Sequence, residues 1–234
     1  MVDINAPHPE EKHKSQNANW LRASILGVDD GLVSTSSIMA GIMAAQADYR
    51  IILMTGVASL VAGAFSMAAG EYVSVSSQRD SEKSDIEIER RALRNNPDGE
   101  LQELAEIYQE RGLDKKLALQ VAKQLHEHDA LDAHARDELG INSRMVAQPW
   151  QAAGASALSF AIGSSVPIAA TIFLRDLGSW PMVIITLIFL AIFGAVGSVI
   201  GGGSKLKAGI RVFVGGGIAM AVTALVGAIV GVTL

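Results

Sequence analysis

The chain has 234 residues and contains no cysteine. This absence excludes disulfide bonds and thiolate metal sites, so a bound metal ion would need oxygen, imidazole or thioether ligands. Hard and borderline divalent ions fit that set of donors. The chain also lacks a dense histidine cluster, a nucleophile elbow and a nucleotide-binding glycine motif, because the glycine triplet at 201–203 ends a predicted helix. The sequence therefore indicates neither an enzyme nor a permanently bound cofactor.

Five long apolar segments are present, at 21–45, 51–75, 152–173, 181–203 and 210–234. A helix of roughly 20 apolar residues, rising 1.5 Å per residue, crosses a membrane core of about 30 Å. The sequence therefore predicts an all-α, polytopic membrane protein with five transmembrane helices, two within 21–77 and three within 147–234. Glycines at helical spacing would let these helices approach closely. They are Gly194, Gly197, Gly201, Gly227 and Gly231.

Charge is concentrated between the second and third apolar segments. Residues 78–146, which we call the insert, hold more than half of the acidic and basic side chains. Apolar residues recur there at helical spacing, which predicts a soluble helical domain. They are Leu101, Leu104, Ile107, Tyr108, Leu117, Val121 and Leu125.

The insert also carries signals for where its helices begin and end. Asn96 followed by Pro97 marks a helix start, Gly112 a helix end and Asp114 the next cap. We predict three helices: a continuation of the second span to about residue 94, one over 97–111, and one from 114 to about 140 with a break near Asp129.

The distribution of lysine and arginine predicts the orientation in the membrane. With the N-terminus in the cytoplasm, only Arg50 and Arg175 lie outside, while the bases of the insert and of the 205–211 cluster lie inside. The insert is then cytoplasmic, and the C-terminus is outside. Residues 1–20 are polar and lack the apolar run of a signal peptide, so we expect a disordered cytoplasmic tail.

Two adjacent carboxylates, Asp29 and Asp30, lie within the first apolar segment. An ionised acid in hydrocarbon costs several kcal/mol unless water, a partner or a cation compensates it, so such an acid indicates a functional site. Gly27 and Gly31 flank the pair and could weaken the helix, which would free backbone carbonyls as further oxygen ligands. One acid would face an ion path, and the other would cap or pair locally.

The second apolar segment contributes Met67 and Glu71. A methionine in a membrane helix usually serves packing, although its thioether is also a soft metal ligand. Glu71 lies about one turn inside the interface, where a carboxylate either lines a hydrated path or extends toward the headgroups. An odd number of spans with one acidic pair suggests a symmetric homodimer whose path is lined by two copies of the first span.

The insert contains a row of glutamates on its second helix, at spacings that place them on one face. This row is either a solvated acidic surface or part of a metal site. Glu89 on the first helix, with His134 and Glu138 four residues apart on the last, could close a cage of oxygen and imidazole ligands. His126 and His128 point to different faces and are expected at the surface. The row is Glu100, Glu103, Glu106 and Glu110.

Three runs together resemble the vacuolar iron transporter family, also called CCC1-like, in a bacterial form. They are ILGVDDGLVSTSSIMAG, AGAFSMAAGEYVSVSSQRDSEKSDIE and ELAEIYQERGLDKKLALQVAKQLHEHDALDAHARDELGI. The resemblance covers almost the whole chain in order. It implies five transmembrane helices, a dimeric pathway, a cytoplasmic metal-binding domain and export of Fe²⁺, often with Mn²⁺, in exchange for protons.

The resemblance also implies roles for particular residues. The aspartate of the family's DGL motif matches Asp30, and the methionine of its GA-x-SM motif matches Met67; the glutamates of the metal-binding domain match Glu89, Glu100, Glu103 and Glu138. Two family glutamates fall on Ser59 and Ala92, and a methionine pair falls on His134 and Ala135. Glu71 could supply the missing membrane carboxylate.

The resulting hypothesis is a homodimeric exporter of Fe²⁺ or Mn²⁺ in a bacterial inner membrane, driven by proton entry. Its partners would be the lipid bilayer, divalent ions and protons, with no nucleic acid. The pathway would use Asp30, Met67, Glu71 and Asp29, and the insert would bind metal through Glu89, Glu100, Glu103, Glu138, Glu106 and His134. Co²⁺ and Zn²⁺ stay open as substrates. The alternative is a membrane-anchored metal sensor or buffer, although an anchor has no use for intramembrane acids.

Overall fold

The computed structural model describes residues 18–141, 148–178, 180–201 and 203–233. Within these ranges the regular structure is entirely helical, which confirms the predicted fold class. Residues 1–17 of the expected tail, and 142–147 at the expected end of the insert, lie outside the described residues. The helices are α1 (Ala18–Ala44), α2 (Tyr49–Asn95), α3 (Pro97–Glu110), α4 (Lys115–Asp137), α5 (Pro149–Phe173), α6 (Trp180–Gly201) and α7 (Lys205–Thr233), with a 3₁₀ turn at Arg175–Leu177.

Five of these helices, α1, α2, α5, α6 and α7, are long and apolar enough to cross a membrane. Their order along the chain is the predicted one, but their ends differ from the apolar segments by several residues. α7, for example, begins at Lys205 and not near residue 210. Hydropathy marks the apolar part of a helix, whereas its hydrogen-bonded backbone can continue through flanking charged residues.

The described chain divides into two compact units. The first, which we call the membrane unit, comprises the described residues up to Glu71 and from Trp150 onward. The second, Tyr72–Pro149, includes the insert. α2 contributes to both units, its apolar first part to the membrane unit and its charged last part to the second.

Small residues bring the helices of the membrane unit together. A Cβ atom added to Gly227 on α7 would collide with the carbonyl oxygen of Gly41 on α1. A Cβ on Gly194 of α6 would lie 2.8 Å from the side chain of Val212 on α7. Glycines of the predicted small-residue pattern therefore pack α1 against α7 and α6 against α7 at close range.

Gly27 and Gly31 have a different role from the expected weakening of the first span. α1 continues without interruption from Ala18 to Ala44. A Cβ on Gly31 would collide with the carbonyl oxygen of Phe160 on α5, and a Cβ on Gly27 would lie 2.9 Å from that of Ser159. The two glycines therefore let the backbones of α1 and α5 come into contact around the acidic pair.

The helices of the insert begin and end where the sequence signals predict. The Asn96 side chain accepts a hydrogen bond from the Gly99 amide at 3.2 Å, directly before α3. The Asp114 carboxylate accepts from the amides of the first turn of α4 at 3.0 and 3.1 Å. Gly112, between the two helices, has a φ of 100°, which favours glycine. α4 is interrupted at Asp129, where a break was predicted.

A small apolar core joins α3 to α4. Leu104 and Ala105 of α3 are buried against Ala122 and Ala133 of α4. The predicted apolar face of α3 is confirmed, since Leu101, Ile107 and Tyr108 pack on this core. Leu117 differs, because it is 43% exposed while the neighbouring Ala118 is buried. α4 thus faces α3 with alanines, which leave room for close approach of the two helices.

Candidate functional site

Three helices of the insert each place one metal-ligating side chain at a common point. Glu89 of α2, Glu100 of α3 and His134 of α4 each offer a ligand atom, and these atoms lie within 4.8 Å of one another. Glu89 and His134 are buried, and Glu100 is partly exposed. We call these three residues the ligand group. Residues 11 to 45 positions apart in the chain thus meet in a geometry that can hold a divalent ion.

His134 is the most enclosed member of the ligand group, because its side chain is fully buried. Its Nδ1 lies 3.0 Å from Oε2 of Glu138 and 3.1 Å from Oε1 of Glu89. An ionised carboxylate only accepts hydrogen bonds, so the tautomer that satisfies Glu138 carries its proton on Nδ1. The other ring nitrogen, Nε2, is then free to coordinate a metal ion.

The carboxylates around the ligand group repel one another. Burial raises the pKa of the Glu89 carboxyl, and the nearby Glu138 raises it further, while His134 acts in the opposite direction. The pKa of Glu103 is also raised, by partial desolvation and then by Glu138 and Glu100. A divalent cation would relieve this repulsion, because it favours the charged form of every carboxylate around it.

The remaining predicted ligands are less enclosed. Glu103 is exposed, although its pKa shift shows that it lies close enough to interact with Glu138 and Glu100. Glu106 is exposed and accepts a hydrogen bond from the side chain of Gln102 at 3.0 Å. The structure therefore does not bring Glu106 into the ligand group, and its assignment as a ligand stays a prediction.

His126 was expected at the surface, and the structure meets this expectation only in part. Its side chain is partly buried, and its ring centroid lies 5.6 Å from that of His134. Burial lowers the pKa of the His126 imidazole, and the neighbouring His134 lowers it further. His128, by contrast, is exposed as expected.

A carboxylate that the sequence analysis did not single out anchors the end of α4. Asp137 accepts hydrogen bonds from Tyr108 Oη at 2.8 Å, Arg111 Nη1 at 2.8 Å and Arg136 Nη2 at 2.7 Å. Burial alone would raise the pKa of Asp137, but these three donors outweigh it and hold the pKa well below its usual range. The bonds tie the C-terminal turn of α3 to α4 one residue before Glu138, and so position the ligands on that turn.

The two aspartates of the acidic pair in the membrane unit differ in their exposure to solvent. Asp29 is partly buried, and its Oδ1 has no hydrogen-bond partner among the described residues. Asp30 is exposed on the surface of the single chain. Its backbone carbonyl accepts a hydrogen bond from the hydroxyl of Ser34 at 2.6 Å. The two carboxylates therefore point into different surroundings, as their adjacent positions on one helix require.

Met67 and Glu71 lie on the part of α2 that belongs to the membrane unit, and both are partly exposed. They are four residues apart and so share one face of the helix. Glu71 is twelve residues from Ser59, which corresponds to about 18 Å along the helix. Glu71 is thus too distant to take the place of a carboxylate at position 59.

Ser59 instead joins a chain of hydroxyl groups that sequence reasoning missed. Thr35 of α1 donates to Ser164 of α5 at 2.9 Å, and its hydroxyl lies 3.3 Å from that of Ser59 on α2. Ser164 donates in turn to the carbonyl oxygen of Gly31 at 3.3 Å. The serine-rich stretches of the first and third apolar segments were the available signal, but the pairing across three helices is not visible in the sequence.

Comparison with known proteins identifies the family of the chain. The model of the VIT family matches residues 21–228, which include the acidic pair and the ligand group. The chain belongs to the VIT family. It is 46% identical to a vacuolar iron transporter from Acanthamoeba castellanii over 97% of this chain and 87% of that protein. It is also 34% identical to vacuolar iron transporter homolog 2.1 of Arabidopsis thaliana (92% and 83%), and 35% identical to VIT-like transporter 1b of Glycine max (89% and 75%).

Proposed function

We propose that this chain is a metal transporter that moves Fe²⁺, and also Mn²⁺, out of the cytoplasm in exchange for protons. The observation that carries the proposal is the convergence of Glu89, Glu100 and His134 in a chain with five candidate spans. Relatives named as vacuolar iron transporters support iron as the substrate. Since family members are transporters, the expectation that the chain is not an enzyme is confirmed.

The proposed path runs through the membrane unit. Asp30 would bind the ion and exchange it for protons, and Met67 would add a thioether that favours Fe²⁺ over Mg²⁺. Exposure of Asp30 on the single chain supports a homodimer in which two copies of α1 face a common path. Asp29 and Glu71 would supply further carboxylates along it.

In this proposal the insert captures metal before transport. It lies in the cytoplasm with the N-terminus, and the membrane is the inner membrane of a bacterium. Ligands must be deprotonated to bind a metal ion, so an acidic compartment on the far side favours its release. Glu103, Glu106 and Glu138 would enlarge the acidic surface around the ligand group and concentrate cations there.

The test is metal flux in proteoliposomes that contain the purified full-length protein. Vesicles in which the insert faces the added Fe²⁺ should accumulate the ion. A pH gradient with an acidic vesicle lumen should accelerate this uptake. Protein-free liposomes with the same gradient are the control for leakage. Correctly inserted protein that binds metal but gives no flux above this control would contradict transport and favour the sensor or buffer. Flux that is the same with and without the pH gradient would contradict proton exchange but not metal transport.

A further inference from the structure

The imidazole rings of His126 and His134, both in α4, lie close together although the two residues are far apart along the helix. His126 and His134 are eight residues apart, which corresponds to a rise of about 12 Å on a straight helix. Their ring centroids lie only 5.6 Å apart, with an angle of 57° between the ring planes. The contact between these rings therefore requires a bend in α4.

The bend lies at Asp129, between the two histidines. Its φ of −161° and ψ of 96° are extended and interrupt the helix. The Asp129 carboxylate then accepts a hydrogen bond from the Asp132 amide at 3.0 Å, as a cap does at the start of a helix. The chain thus turns and begins a new helical segment that carries His134 back beside His126.

Both rings contain a buried nitrogen without a partner. Nε2 of His134 and Nε2 of His126 are each inaccessible to solvent and have no hydrogen-bond partner among the described residues. A buried polar atom left unpaired costs about 1–3 kcal/mol. The two atoms belong to rings whose centroids lie 5.6 Å apart, so one bound species could satisfy both nitrogens.

The hydrogen bonds of His134 identify the chemistry of that species. With the proton held on Nδ1 by Glu138, the unpaired Nε2 presents a lone pair, which is the usual arrangement of a metal-ligating histidine. Glu100 also belongs to the ligand group and acts electrostatically on His126. A cation would therefore find a carboxylate next to the two imidazoles.

We propose that His126 is a further metal ligand, which forms with Nε2 of His134 an imidazole pair that makes the insert prefer borderline ions. Imidazole suits Fe²⁺, Co²⁺ and Zn²⁺, whereas Mn²⁺ is better matched by carboxylates and water. This inference rests on the proposed metal capture by the insert and specifies which ions that site selects.

The test measures Co²⁺ and Mn²⁺ binding to the full-length protein in detergent by equilibrium dialysis. His126→Gln should weaken Co²⁺ binding about tenfold or more, and Mn²⁺ binding much less. His128→Gln is the matched control, because it removes an exposed histidine two residues away and should change neither affinity. Glu100→Gln should weaken both ions and reports on the ligand group itself.

X-ray absorption of the Co²⁺-loaded wild-type protein counts the imidazole ligands without any substitution. Two imidazoles are expected in the wild type, and one in His126→Gln. A single imidazole in the wild type, or Co²⁺ binding by His126→Gln equal to the wild type, would overturn the inference while leaving metal capture intact. Absence of binding of both ions to the wild type would instead overturn metal capture, and the imidazole pair with it.

Discussion

Among the described residues, the buried polar side chains of the membrane unit are hydroxyls, whereas those of the second unit are a carboxylate and an imidazole. In the membrane unit they often bond to the preceding turn of their own helix, as Ser36 does to the Leu32 carbonyl at 2.6 Å and Thr171 to the Pro167 carbonyl at 2.8 Å. In the second unit the buried polar residues are Glu89 and His134, which lie against each other.

This difference follows from the surroundings of each unit. A charge in hydrocarbon is costly, so a span satisfies its polar groups with neutral, local hydrogen bonds. The second unit can bury Glu89 beside His134, because the imidazole lies 3.1 Å from the carboxylate and an incoming cation would offset the repulsion from the other carboxylates. Asp29, Asp30 and Glu71 depart from this pattern in the membrane unit, and they are the carboxylates that we expect to act on the ion.

The largest effect is expected from Asp30→Asn, which keeps the size of the side chain and removes its charge. Fe²⁺ flux in proteoliposomes should fall to the protein-free level at every metal concentration, because the path then lacks its main anionic ligand. Asp176→Asn, at an exposed aspartate outside the spans, should leave flux unchanged. Wild-type flux in correctly inserted Asp30→Asn protein would contradict the role of Asp30 in the path and would favour Asp29 as the ligand.

A smaller and different effect is expected from neutralising the insert. The triple variant Glu100→Gln, Glu103→Gln, Glu138→Gln should raise the apparent KM for Fe²⁺, with little change in the maximal rate, because local enrichment matters least at saturation. Flux in vesicles whose insert faces the added metal, measured from low to saturating concentration, separates the two parameters. A fall in the maximal rate comparable to that of Asp30→Asn would mean that the insert also controls passage through the membrane.

The smallest effect is expected from Asp137→Asn, which changes structure and not ligands. Its low native pKa means that the carboxylate stabilises the fold above its unfolded pKa of about 3.9, and that this contribution is lost as the pH falls below that value. The variant should lose about 1–2 kcal/mol of local stability at pH 7.

Hydrogen exchange of the last turn of α4 in the full-length protein measures this loss. The difference between wild type and Asp137→Asn should be clear at pH 7 and shrink as the pH falls below about 4, because the carboxylate of the unfolded turn is then protonated while the native one stays ionised. Asp98→Asn, at an exposed residue of α3, is the control. A difference that stays constant with pH would show that the contribution of Asp137 is not electrostatic.

Much of the helical framework could be read from the sequence because its signals are local. Asn96, Gly112 and Asp114 predicted the helix ends of the insert, since caps act on neighbouring amides. The apolar face of α3 followed from its period. The helix ends at the membrane were less accurate, because apolar length does not mark where backbone hydrogen bonding stops.

The candidate site was less predictable. Carboxylates at helical spacing indicated an acidic face, but spacing could not separate Glu100, which is partly buried and joins the ligand group, from the exposed Glu106. His126 was assigned to the surface only because it and His128 point to different faces, and the predicted break at Asp129 did not reveal that His134 would lie against its ring. The anchor at Asp137 was missed because its donors Tyr108 and Arg111 lie on another helix, 29 and 26 residues away.

The sequence by itself determined the number and order of the spans, the three helices of the insert and the intramembrane position of Asp29 and Asp30. These depend on composition and spacing within single helices, where each residue interacts with neighbours a few positions away. Only the tertiary structure decided that Glu89, Glu100 and His134 meet. It also decided that Ser59 joins a hydroxyl chain through Thr35, and that the rings of His126 and His134 lie next to each other. Those contacts depend on the packing of helices distant in sequence and on the direction in which the chain turns at Asp129; the sequence predicted the position of that break but not its direction.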